Sequence, residues 1–431
     1  MIGRVRWAFW GTIACSFILL GLATQRGALL ALAIPFLVFL FSSFYLGGSL
    51  VPILKATRTL STSRAQSGEE VTVHIEITNE GSSVEEIEII DSIPSYLERV
   101  AGEPRLITTL KSGETAQIEY TVRGRRGFAQ WNQLSITAGD HLGLRRRFTK
   151  VSCQGHLFVL PNFPKLYEVE IRPRRTRVYS GSVRTKLGGP GIEFFGIREY
   201  YPGDALRHLN WKATAHYDQP ITNEFEQERV ADIGIVLDCR ERTEVSVGGD
   251  SLFEQAVGAA SALADFFISR GNRLGLLVYG DYIDWTFPGF CRLQREKLLQ
   301  SLARAELSNK TIFEDLENIP TKLFPAGSQL VIVSSLCEDD VEILLQLCGL
   351  YHVIVVSPNP ILFELSRTHP TDAILIASRI ASLRREIVLS QLRQAGIRLV
   401  DWDTQSDLPI PVEQALGRHT LRHQQAMRGR P

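Results

Sequence analysis

A chain of 431 residues that is 44% hydrophobic and 22% charged is long enough for two or three domains with cores of their own. Lys plus Arg and Asp plus Glu both number 47, so no net field attracts nucleic acid or anionic lipid, and nucleic-acid binding is not expected. Six scattered cysteines (Cys15, Cys153, Cys239, Cys291, Cys337, Cys348) form no CxxC or Cys/His cluster, which argues against a zinc motif and a dense disulfide framework and points to a reducing compartment.

Two apolar runs open the chain, WAFWGTIACSFILLGLA from Trp7 and ALLALAIPFLVFLFSSFYLGG from Ala28, joined by TQRG. Each is about the length that crosses a bilayer as a helix, so residues 1–50 are expected to form a transmembrane hairpin through 7–48. A second run so close behind the first, with no clear small-residue cleavage site, argues against a signal peptide. Arg4 and Arg6 before the pair and Lys55, Arg58 and Arg64 after it place both termini and the globular domains in the cytoplasm.

Residues 55–155 read as all-β. Val71, Val73, Ile75 and Ile77 alternate with polar residues, Asn79-Glu80-Gly81 supplies a turn, and further short strands follow between glycines and prolines. Their spacing suggests an immunoglobulin-like sandwich acting as a spacer. Residues 156–190 read as a basic linker with Arg172, Arg174, Arg175, Arg177, Arg184 and Lys186. Its glycines match neither a phosphate-binding loop nor a dinucleotide fingerprint.

Residues 191–230 hold REYYPGDALRHLNWKATA, from Arg198 to Ala215. Asp204 follows Pro-Gly at the start of an amphipathic segment, where its carboxylate is expected to cap a helix. Trp211 reads as a buried anchor, and Arg198, Glu199, Arg207, Lys212, Glu224 and Glu226 as a charge mesh. From 231 to 405 strand and helix alternate, with the apolar strand IGIVLD ending at Asp238, then RLGLLVYGD, QLVIVSSL, HVIVVSP and IRLVDWD. That pattern predicts a doubly wound, mostly parallel α/β domain with ligands at the carboxyl ends of its strands. Residues 406–431 read as a flexible basic tail.

The stretch GIEFFGIREYYPGDALRHLNWKATAHYDQPITNEFEQE, followed by IGIVLD, resembles the signature of domain of unknown function family 58. Gly203, Asp204, Arg207 and Trp211 stand at the motif's fixed offsets, and the match covers Gly191 to about Leu336. The resemblance implies a membrane protein with an Ig-like insert, a von Willebrand factor A-like domain and a MoxR-type AAA+ ATPase as partner.

That fold normally offers Mg²⁺ a DxSxS turn, a threonine and a later aspartate. Here Asp238 is followed by Arg240 and Arg242 at the two serine positions. Ser334 or Ser335 replaces the later aspartate, and Thr311 is the remaining threonine. Two guanidiniums at a dication site argue against metal, so no cofactor is expected. An arginine there could instead meet a partner's carboxylate. An enzyme would use Asp204 and His208 as an acid/base pair on one helix face, with Asp238 in a metal-assisted hydrolase. The expectation is instead a non-catalytic adaptor or scaffold whose A-domain-like module binds protein. Its signature or partner-binding residues are Arg198, Tyr200, Gly203, Asp204, Arg207, His208, Trp211 and Lys212, and its degenerate metal positions are Asp238, Arg240, Arg242, Thr311 and Ser335.

Overall fold

The computed structural model describes the backbone of residues 2–45, 53–139, 146–169, 176–280, 283–307, 323–369 and 371–417. It divides into two units, residues 1–160 and 161–431.

The first unit opens with two helices, α1 (Ile2–Thr24) and α2 (Gly27–Tyr45), which pack against each other with Trp10 stacked on Phe36 at 5.8 Å. Among the described residues no helix is long and apolar enough to cross a membrane. Polar Thr12, Ser16 and Thr24 interrupt α1, bonding back to their own helix, and Pro35 interrupts α2. The expected transmembrane hairpin, and the integral membrane placement derived from it, are therefore corrected.

Nine strands follow: β1 (Leu54–Leu60), β2 (Arg64–Gln66), β3 (Glu70–Asn79), β4 (Val84–Ile90), β5 (Leu97–Gly102), β6 (Arg105–Leu110), β7 (Thr115–Gly124), β8 (Gly127–Gly139) and β9 (Arg146–Leu160). They form a four-stranded sheet ordered β1-β3-β7-β5 and a five-stranded sheet ordered β2-β9-β8-β4-β6. Val71, Val73, Ile75 and Ile77 are all buried because alternate residues of β3 share one face, and they join Ile87, Ile89, Trp131 and Leu134 in one core. Within it Arg58 donates to Asp91 at 2.7 Å, and the Tyr120 hydroxyl donates to the other Asp91 oxygen at 2.5 Å. Burial raises the Asp91 carboxyl above its usual range, against the lowering pull of Arg58.

In the second unit, strands β10 (Thr176–Glu199) and β11 (Ile221–Asp238) pair antiparallel, Glu199 opposite Ile221 and Thr176 opposite Ala231. Backbone read as linker over 176–190 is thus strand. Arg172, Arg174 and Arg175 lie outside the described residues. Beyond Ala231 the same β11 becomes the central strand of a larger sheet. Its parallel neighbours are β14 (Arg273–Tyr279) and β16 (Gln329–Val333), after the small hairpin of β12 (Ser246–Val247) and β13 (Asp250–Ser251). Strands β17 (His352–Pro358) and β18 (Arg398–Trp402) extend it in parallel, and β15 (Ile283–Gly289) closes the other edge antiparallel.

Helix α3 (Trp211–Tyr217) lies between β10 and β11. One face of the sheet is covered by α4 (Leu252–Ser269), by α5 (Cys291–Arg304) through Leu298 and Leu302, and by residues near the end of the described chain. The other face packs on α6 (Asp340–Leu350) and on Leu392 of α8 (Asp372–Gln394), which follows the short α7 (Pro360–Leu365). Because both faces are covered, Ile233, Ile235, Val236 and Leu237 are all buried, the continuous apolar run a central parallel strand requires. Part of the expected tail is also ordered: α9 (Pro409–Leu416) buries Val412 and Leu416 in the core, while 418–431 lie outside the described residues.

Candidate functional site

Two places gather the chemistry singled out in the sequence, one at each end of β11.

The signature segment forms the tip of the β10/β11 ribbon. Arg198 grips Asp204 in two-pronged fashion, Nη1 to Oδ2 at 2.7 Å and Nη2 to Oδ1 at 2.9 Å, and its Nε lies 3.6 Å from Glu224. The Tyr201 N–H adds a 3.0 Å bond to the same carboxylate. The arginine's hydrogen bonds, then that N–H, hold the Asp204 carboxyl down to about 2. Gly203 takes φ of 115°, which lets the chain turn tightly enough for that grip.

Two expectations, and the geometry assumed by the enzyme alternative, are corrected here. Asp204 caps no helix: Asn210 caps α3, its side chain accepting from the Ala213 N–H at 3.0 Å. Asp204 and His208 do not share a helix face, since the helical segment there is a short 3-10 turn over 206–208 that begins after Asp204. Trp211 is 72% exposed rather than a buried anchor, because the tip stands beyond the sheet and, among the described residues, no layer covers it. Leu206, Tyr201 and Tyr217 are exposed beside it in the sequence, as are the cations Arg207 and Lys212. His208 stacks edge-on against Phe225 and accepts from Arg207 Nε at 3.1 Å. Tyr200 ties the tip's base through its N–H to Pro220.

At the far end of β11, Asp238 meets Arg240. Arg240 Nε donates to Asp238 Oδ1 at 2.9 Å and Nη2 to Oδ2 at 2.8 Å. The same guanidinium reaches Asp340, at the start of α6, through Nη1 and Nη2, each at 2.9 Å. Ser334 donates to Asp238 at 2.6 Å, and the Cys337 N–H donates to Asp340 at 2.8 Å. Burial opposes the charge on Arg240, but the bonds to Asp238 and Asp340 outweigh it and hold the guanidinium above its ordinary value. Burial, then the neighbouring Asp340, pushes the Cys337 thiol up to about 11, which leaves it a poor nucleophile.

This donor set does not fit a dication. Both carboxylates already receive paired N–H bonds, and the positive charge a metal would bring is supplied by Arg240. Among the described residues no group of three or more His, Cys, Asp and Glu could hold a metal ion. The structure also answers where the arginines point. Arg240 is 3% exposed and meets Asp238 and Asp340 of its own chain, while Arg242 pairs with Asp339 at 2.7 Å. Ser335 turns away to the Thr243 carbonyl, and Thr311 lies outside the described residues.

Sequence reading missed Asp340, the first residue of α6. It also missed Arg385 of α8, which bridges the Ser335 carbonyl, the Ser357 hydroxyl and Asp401 at 2.7, 2.9 and 2.8 Å. Beside this network, beyond the carboxyl ends of β16 and β17, lies a groove of about 590 Å³ walled by Leu336, Cys337, Ile361, Ile380, Arg384 and Val388. Asp204 and His208 are not brought to Asp238. Strand β11 separates them by on the order of 50 Å of extended chain, at about 3.3 Å per residue, so the three cannot share one reaction centre.

Comparison with known proteins agrees with the position of the signature. Residues 196–359 match the model of a family described as Protein of unknown function DUF58. The uncharacterized protein YeaD of Bacillus subtilis is 27% identical over 36% of this chain and 37% of its own length. The uncharacterized protein Mb1516 of Mycobacterium bovis is 28% identical over 26% of this chain and 35% of its own. The chain thus spans little more than a third of either relative. Among solved structures, a part of Escherichia coli alpha-2-macroglobulin overlaps 31% of this chain and 21% of its own, at 20% identity and a TM-score of 0.23. A cohesin from Archaeoglobus fulgidus overlaps 25% of this chain and 91% of its own, at 20% identity and a TM-score of 0.18. Neither likeness is close enough to carry an argument. The segment from the ribbon tip to the end of β17 is accordingly the part of the chain similar to the DUF58 family, and the stretch that carries the resemblance lies at an exposed tip rather than in a core.

Proposed function

We propose that the chain is a non-catalytic adaptor that binds another protein through the tip of the β10/β11 ribbon. One observation carries this reading: Leu206 and Trp211 are 71% and 72% exposed on a segment whose backbone is held in place by the Arg198–Asp204 grip. Large apolar side chains on a fixed, projecting element lose water only when a partner covers them. Arg207 and Lys212 beside them favour an acidic rim on that partner. The sandwich of the first unit serves as an immunoglobulin-like spacer. The large sheet serves as a von Willebrand factor A-like module in which Arg240 has taken over the charge of the metal.

A MoxR-type AAA+ ATPase is the partner implied by the signature's resemblance, with assembly or remodelling of other proteins as the shared task. The test is affinity capture of the full-length protein from its source cells, alongside a Leu206→Asp/Trp211→Asp variant. Recovery of a MoxR-type ATPase with the native tip and its loss with the variant supports the reading. Equal recovery with both, or no such ATPase with either, overturns it.

A further inference from the structure

Helix α8 carries a second apolar surface, remote in sequence from the ribbon tip. Ile376, Ile380, Leu383 and Ile387 are 64%, 51%, 66% and 59% exposed. At about 100° per residue they fall on one narrow stripe, while Leu389 and Leu392 face the core from the other side.

We propose that this stripe pairs with the α8 helix of a second copy of the chain, in antiparallel orientation about a two-fold axis. The stripe is spaced four, three and four residues, which reads the same in both directions. An antiparallel copy therefore sets Ile376 against the second copy's Ile387, and Ile380 against its Leu383, with no gap in the seam. Charge follows the same symmetry. Arg379 and Glu386 lie a heptad apart on one flank of the stripe, and antiparallel pairing brings that flank against itself, Arg379 within about 3 Å along the axis of the second copy's Glu386 and the reverse, a span their long side chains cover.

Arg379 is exposed and has no ionic partner among the described residues. Glu386 is 60% exposed in its contact with Arg393, so it can also reach across. Parallel pairing is disfavoured, since it would set Arg379 against Arg384 of the other copy. A seam of four layers is smaller than a permanent interface, so the dimer is weak and concentration-dependent.

Sedimentation of the full chain across a wide concentration range tests this. The expected result is a monomer–dimer equilibrium that Ile380→Asp abolishes. Arg379→Glu or Glu386→Arg weakens it roughly tenfold, and the two together restore it. Because all three positions are exposed, these variants keep the fold, checked by circular dichroism. A monomer at every concentration overturns the proposal and leaves an unrelated protein as occupant of the stripe. So does a dimer indifferent to Ile380→Asp, or a charge swap that fails to restore association.

Discussion

Arg240 and Asp340 stand a hundred residues apart in the chain and meet through two parallel hydrogen bonds of 2.9 Å. Since Arg240 also holds Asp238, one guanidinium joins the end of the central strand β11 to the start of α6. It is a buried cation between two buried anions, and its loss strands both carboxylates.

Arg240→Ala is therefore expected to cost about 3–5 kcal/mol of stability, the usual effect of removing one partner from a buried ionic cluster. Chemical denaturation measures it. Arg240→Ser adds a sharper readout, because Asp238, Asp340 and Ser334 then line the vacated space with oxygens. That variant should gain thermal stability when Mg²⁺ or Mn²⁺ is added, whereas the native chain gains none.

The Arg198–Asp204 grip should respond to acid. The Asp204 carboxyl is held at about 2 in the folded tip, against about 3.9 in an unfolded chain. A depressed carboxylate stabilises above its unfolded value and loses that contribution as pH falls through the folded one. The tip's order is thus complete above about pH 4 and lost progressively towards about pH 2. Carbon-detected NMR titration of Asp204 and the amide of Tyr201 follows it, and Arg198→Lys should shift the Asp204 midpoint upwards because the fork is gone.

Trp211→Ala separates the two views of this residue. A buried tryptophan would cost about 3–5 kcal/mol on truncation. Exposed at the tip, Trp211 should change stability by no more than about 0.5 kcal/mol while sharply weakening capture of the partner.

In the sandwich, Arg58→Ala leaves the Asp91 carboxylate buried without its cation, and a loss of about 3–5 kcal/mol is expected. Tyr120→Phe removes only the 2.5 Å hydroxyl contact and should cost less, about 1–3 kcal/mol, by thermal or urea unfolding.

Much of the fold could be read from local pattern, since the side-chain period of a strand is a backbone property. The alternation from Val71 to Ile77 marked one buried face, and the unbroken run Ile233 to Leu237 marked a strand covered on both sides. The apolar run ending at Asp238, with Arg240 two residues on, was singled out only through the resemblance, as a metal position with exchanged ligands. Local pattern failed where the answer depended on what lies beyond the element. Trp211 sits in a segment whose composition suits a core, yet only the projection of β10 and β11 past the sheet decides that it stays exposed. Asp204 after Pro-Gly suits a helix cap, yet Arg198, across the turn, outbids the backbone N–H groups with a charged fork. The apolar opening runs suggested membrane crossing, but among the described residues no helix is long and apolar enough to span a membrane. Asp340 carried no mark at all, because a pairing across a hundred residues exists only once parallel strands bring the ends of β11 and β16 side by side.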